Sequence, residues 1–138
     1  MKTKRFGVSM EDELLEKLNR IVEQKRYPNR SEAIRDLIRS SLVEEEWKRT
    51  EEETIGVLVI VFDHHQRELS SRLLEKEHMR SGEILATLHL HLDHHNCLEA
   101  KVIRGIPAQV QALADELIAM KGVKFGRLIP ATIGKNLR

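Results

Sequence analysis

Along residues 4–10 polar and apolar positions alternate. Phe6, Val8 and Met10 face one way, and Arg5, Gly7 and Ser9 the other. This is the period of a short strand with a polar, basic outer face. Ser9 followed by Asp12 reads as a capping box that opens a helix, which Leu14, Leu15, Leu18, Ile21 and Val22 supply with one apolar stripe at helical spacing. Tyr27-Pro28-Asn29 stops that helix, and Asn29 with Glu32 caps the next. Ile34, Leu37, Ile38, Ser41 and Leu42 form its stripe, with Arg30, Arg35 and Arg39 around the rest. The acidic stretch 44–53 reads as the end of this helix and a solvated linker.

From Thr54 the pattern changes. Residues 55–62 are a β-branched strand ending at Asp63-His64-His65, and Leu69, Leu73 and Leu74 mark a helix over 67–79. Ser81-Gly82 breaks it, a strand follows over 84–93, and the turn Asp93-His94-His95-Asn96 returns the chain into a strand over 97–104. Gly105 and Pro107 start a helix with Val110, Leu113, Ala114, Leu117 and Ile118 on one face. Lys121-Gly122 closes it before a last strand, 123–129. The class is α+β: strand-helix-helix, then βαββαβ, the ferredoxin-like arrangement with both helices on one sheet face. The boundaries are 1–47, a linker 48–53, and 54–138. The sheet face carrying His89 and His91 is expected to lack a cover in its own chain and to invite a partner subunit.

A strand and two helices in about forty-five residues cannot close a core alone, and a lone strand leaves its backbone unpaired. The simplest repair is a homodimer whose two strands pair antiparallel. Arg5, Gly7 and Ser9 of both chains then lie on one exposed ribbon, a shape that a DNA major groove admits. Backbone N–H groups near Asn29 and Ser31, at a helix N-terminus, would meet phosphate.

Composition narrows the classes. The chain has 138 residues, 33% charged and 4% aromatic, with a formal net charge of +1. Any core is therefore aliphatic, and any electrostatic case for nucleic acid must be local. Residues 1–43 hold ten Lys/Arg against seven Asp/Glu, a weak excess, so strand placement and helix N-termini carry that argument. No apolar run approaches a membrane span and no signal-peptide pattern opens the chain. With one cysteine and no internal disulfide, a cytoplasmic location is expected.

The chemistry concentrates at 88–99. Leu88, Leu90 and Leu92 share one face, and His89 and His91 the other, about 6.5–7 Å apart at Cα, close enough for both rings to reach one ion. The turn brings Cys97 back beside them as a third donor. Two imidazoles and a thiolate on adjacent strands form a transition-metal site. For His94 and His95, turn polarity is sufficient explanation. A fourth ligand is usual, and His78 of the same chain lies near the far end of the 84–93 strand, so a histidine from a neighbouring chain is inferred.

These residues bring a family into view. Arg5-Phe6-Gly7-Val8-Ser9, Tyr27 through Asp36, His78, and Leu88-His89-Leu90-His91 through Cys97-Leu98-Glu99 resemble the nickel-responsive transcriptional regulators of prokaryotes, essentially end to end. The resemblance implies a ribbon-helix-helix DNA-binding domain joined to an ACT-like metal-binding and tetramerisation domain. It implies Ni2+ in a planar site of His89, His91 and Cys97 from one chain and His78 from another, with Glu99 orienting a ligand imidazole. It also implies a homotetramer, a dimer of dimers, on a palindromic double-stranded operator. Arg5, Gly7 and Ser9 match the base-facing ribbon positions, Gly7 standing where some members carry a hydroxyl. Arg67 matches a residue that reaches DNA backbone, and Gln66 replaces a lysine beside it. Glu32 and Asp36 match positions that help hold a second cation.

The function implied is a nickel-dependent repressor of nickel-uptake genes, with no enzymatic activity. The alternative is the same build answering mainly to copper, cobalt or zinc, since the Irving–Williams order favours copper at such a site. A metallohydrolase would need an open coordination position and a general base, and four protein ligands close the site.

Overall fold

The structure, a computed structural model, describes residues 2–49, 51–65 and 83–137. The expected helix over 67–79, with His78 and Arg67, lies outside the described residues. The chain forms two compact units, Met1–Ser41 and Leu42–Arg138. No helix among the described residues is long and apolar enough to cross a membrane.

In the first unit, α1 spans Asp12–Gln24 and α2 starts at Arg30. Asn29 caps α2 as expected, its Oδ1 accepting the Glu32 N–H at 2.9 Å. The cap of α1 differs from the expectation: Glu11, not Ser9, occupies it, with no side-chain hydrogen bond, and Asp12 and Glu13 are left to complement the helix dipole. Residues 2–11 carry no strand, because a strand is completed by a hydrogen-bonded neighbour and one chain supplies none to this segment. Phe6, Val8, Leu14, Leu37 and Ile38 stay exposed in the single chain.

α2 runs on to Arg49. The 44–53 stretch is therefore more than a solvated linker. Trp47 packs against the core of the second unit and donates its indole N–H to the Ala131 carbonyl at 2.8 Å.

The second unit is a four-stranded antiparallel sheet in the order β2-β3-β1-β4, with β1 Thr54–Asp63, β2 Glu83–His91, β3 Asn96–Gly105 and β4 Val123–Pro130. Helix α3 (Pro107–Ile118) buries Val110, Leu113, Ala114 and Leu117 against Leu58, Ile60, Phe62 and Ile103. Every second residue of β1 is buried from Thr54 to Phe62, which fixes the face under the helix.

Register then decides which face the histidines share. Phe62 pairs with Cys97 and Ile60 with Glu99; Cys97 pairs with His91 and Glu99 with His89. Directly opposed residues project to the same side of a sheet. His89 and His91 therefore lie on the side of the sheet that carries α3, and the expectation that they occupy the opposite side is corrected, although both stay exposed among the described residues. The open face is the leucine face, where Leu88, Leu90, Leu92, Phe125 and Ile129 are exposed. A bulge between Ile84 and Ala86 reverses the parity of β2 and turns Ile84 toward the core.

Gly126 pairs with Ile60 on the crowded side. A Cβ there would sit 2.5 Å from Ile118 Cγ1 and 3.1 Å from Ile118 Cβ, atoms of a branched side chain that cannot swing clear. Gly126→Ala is expected to cost about 1–3 kcal/mol. Urea unfolding followed by Trp47 fluorescence reads it, and an unchanged midpoint would show that α3 shifts freely.

Candidate metal centre

The turn between β2 and β3 sets the geometry. Asp93 Oδ1 accepts the N–H groups of His95 and Asn96, both at 2.8 Å, while the Asn96 side-chain amide reaches both carboxylate oxygens, at 3.1 and 2.8 Å. The Asn96 side chain and these two backbone donors hold the Asp93 carboxyl at a pKa of about 2. Leu92 N–H to Asn96 O, at 2.9 Å, closes the hairpin.

Above the turn, Cys97 Sγ lies 3.2 Å from His91 Nδ1. Cys97 is fully buried. Burial first, then the charges of Glu99 and Asp93, push its thiol above the ordinary value. One step up the ladder, Glu99 Oε1 meets His89 Nδ1 at 2.9 Å, and its other oxygen pairs with the buried Lys101 at 2.9 Å. Burial raises the Glu99 carboxyl, but hydrogen bonds from Lys101 and His89 outweigh it and hold the group below its ordinary value. An Nδ1–H donated to that carboxylate leaves the His89 Nε2 lone pair for an electrophile. The His89 and His91 rings lie 5.0 Å apart at 68°, and Phe62 meets His89 edge-on at 6.1 Å from below.

These donors fit a soft transition cation. Two ligand atoms on one ion, about 2.0 Å (nitrogen) and 2.3 Å (sulfur) from it, lie about 3 Å apart when adjacent, close to the 3.2 Å between Cys97 and His91. A thiolate with imidazoles selects nickel, copper or zinc over hard cations such as Mg2+.

His64 also stands at this corner, which periodicity along the chain does not indicate. Just past the end of β1, its ring sits 5.6 Å from that of His91, and its donor atom falls within 4.8 Å of those of His91 and Cys97. The sequence signal is its place in Asp63-His64-His65 at the end of the 55–62 strand, and the Phe62–Cys97 pairing carries these residues to the same corner.

The residues expected at DNA are in the first unit. Arg5, Gly7, Ser9, Asn29 and Ser31 are exposed, and the Asn29 side chain is committed to its cap. Glu32 pairs with Arg35, and Asp36 accepts a hydrogen bond from the Tyr27 hydroxyl; the structure does not join these two acids in one cluster of metal donors among the described residues.

The chain matches two family models: ribbon-helix-helix protein, copG family, over residues 4–45, and NikR C terminal nickel binding domain over 55–131. A Geobacter metallireducens protein bearing the name nickel-responsive regulator is 53% identical over 135 residues, 98% of this chain and 97% of that one. One from Thermococcus onnurineus with the same name is 47% identical over 99% of both chains. Among solved structures, the ACT domain from GTP pyrophosphokinase of Chlorobium tepidum superposes with a TM-score of 0.50 at 13% identity, over 56% of this chain and all of that one, a likeness of fold alone. The chain therefore belongs to the nickel-responsive regulators, proteins that join a ribbon-helix-helix segment to a C-terminal nickel-binding domain and act in transcription rather than catalysis.

Proposed function

We propose that this protein represses nickel-uptake genes when nickel is bound, acting in the cytoplasm as a homotetramer on a palindromic operator. The observation that carries the reading is the opposed pair Cys97–His91, with His89 held by Glu99 beside it. Bound Ni2+ would supply a crosslink between these strands and a second chain.

Cys97 gives up its proton to solvent and offers an anionic sulfur, and His91 and His89 offer nitrogen lone pairs. Glu99 orients His89 and is itself oriented by Lys101. His78 of a second chain completes the set. Tying two chains together raises the fraction of molecules whose ribbons are placed for one operator. The gain is limited by the difference in metal affinity between the two arrangements. Glu32 and Asp36 could hold a second cation only after leaving Arg35 and Tyr27, and Arg67 would add a contact to DNA backbone.

The test is binding to promoter fragments of nickel-transport genes with and without stoichiometric nickel, zinc and copper. Nickel should raise affinity most, and equal affinity in all four conditions would overturn the reading. On the ribbon, the Arg5 guanidinium can reach O6 and N7 of a guanine. Arg5→Ala should then cost about 1–3 kcal/mol on the operator and relax base preference at one position per half-site, with nickel affinity unchanged. An equal loss on operator and scrambled DNA would make the ribbon a phosphate clamp.

A further inference from the structure

Lys101 is the one buried charged side chain among the described residues, 3% exposed. It pairs with the buried Leu58 on β1 and with Thr87 on β2, so it stands on the side of the sheet that carries α3, in line with Cys97 and Glu99 along β3. Taking an ammonium out of water is costly unless an anion is fixed beside it. Glu99 supplies that anion, with its Oε2 2.9 Å from Nζ. Oε2 is shut off from solvent, so the ammonium rather than water answers its charge. Oε1 turns the other way, to His89 Nδ1 at 2.9 Å. The carboxylate is thus divided between a cation and an imidazole. That division matters because Glu99 stands where a ligand could. Cys97 and Glu99 are two residues apart on one strand face, as their partners His91 and His89 are on the next, and the Glu99 charge reaches the Cys97 thiol. Carboxylate oxygen is a regular zinc ligand beside imidazole and thiolate.

We propose that Lys101 is a positioning residue that sets metal specificity: it holds the Glu99 carboxylate on His89 and out of the coordination sphere, so that the donors remain nitrogen and sulfur. His89 then keeps its proton on Nδ1 and presents Nε2 before any metal arrives. A Glu99 released from Lys101 would be free to turn toward His91 and Cys97 and offer an oxygen from the same chain, at the position otherwise left for a histidine of a second chain. Such an oxygen suits zinc, which accepts mixed nitrogen, sulfur and oxygen donors in a tetrahedron. The ammonium therefore guards against a single-chain zinc complex, which affinity order alone does not prevent. The inference rests on His89, His91 and Cys97 being ligands in the proposed function, but its own element is Lys101.

The experiment compares the full chain with Lys101→Met, which keeps the side chain's length and removes its charge, with Glu99→Gln, and with the double variant. Nitrogen-15 NMR of the metal-free protein reads the His89 tautomer. The parent should show the Nδ1–H form and Lys101→Met a mixture of the two. Chelator competition reads nickel and zinc affinities. Lys101→Met should lose about tenfold or more in nickel affinity while zinc affinity holds or rises, so the ratio of the two falls by about tenfold or more. Glutamine leaves no charge for the ammonium to hold, so adding Lys101→Met to Glu99→Gln should change the ratio by less than about twofold. A parent-like tautomer and ratio in Lys101→Met would overturn the proposal. Equal losses for both metals would also overturn it, making Lys101 a support of the fold alone. If Lys101→Met does not fold, Glu99→Gln and the double variant decide, and a ratio that differs between them overturns the proposal. If the parent bound no nickel, the nickel reading would fall, and the metal-free tautomer would still judge Lys101.

Discussion

Cys97→Ala is expected to lower nickel affinity by about a hundredfold or more while the sheet and the N-terminal unit remain folded. The thiolate is the sole anionic, soft donor of the set, and two imidazoles cannot replace its charge. The loss in packing is small by comparison, because only one sulfur atom leaves a site lined by Phe62 and His91. The pH dependence follows from the same thiol. Burial raises its pKa above the ordinary 9.0, so in the metal-free protein the proton is bound throughout the neutral range. The neutral thiol's contribution to stability is then complete below the ordinary value and is lost only as pH rises through the raised one. Metal binding runs the other way, since each ion expels that proton. From the thiol alone, affinity should fall about tenfold for each unit of acidification, and more steeply once the imidazoles protonate. Nickel titrations of parent and variant between about pH 8 and 6 decide it. A variant that binds like the parent, or a flat profile in the parent, would remove Cys97 from the site.

Much of the second unit was legible because its strands alternate or run apolar and its turns carry the expected Asp, Asn, Gly and Pro. The ferredoxin-like order follows from that succession. The alternation at Leu88–His91 also declares two faces, but periodicity alone does not say which one a helix covers. Leucines suggest the inside, yet here they lie on the side away from α3 and the histidines, though exposed as well, on the side that carries it. Only the pairing of Cys97 with Phe62, a residue under α3, settles the matter. The position of His64 is hidden in the sequence for the same reason, since its nearness to His91 is a matter of register. The ribbon poses the opposite difficulty. Its alternation is plain, but its strand depends on a second chain. Trp47 was hidden by the acids around it, because a charge run says nothing of the one aromatic face turned inward.

Phe62→Ala should be the most destabilising single change in this unit, at about 3–5 kcal/mol. Phe62 is fully buried, among the largest side chains of the core. It sits on a central strand, between the pairing to Cys97 on one side and to Val123 on the other. Alanine would open a cavity beneath the metal corner, and the neighbours that line it belong to three strands that cannot all collapse inward. The ring also supports His89, 6.1 Å away and inclined at 70°, an edge-to-face contact worth about 0.5–1.5 kcal/mol beyond buried area. Nickel affinity should therefore fall as well, because His89 loses the surface that sets its angle even though Glu99 still holds its Nδ1. Phe62→Leu separates the two effects. It refills most of the volume and should restore most of the stability, but it offers no ring edge, so the loss in nickel affinity should persist. The readout is convenient: the chain's single tryptophan, Trp47, packs on this core, so its fluorescence in urea follows this unit. A loss below about 1 kcal/mol for alanine would mean that the core relaxes into the gap and that Phe62 does not hold the metal corner in place.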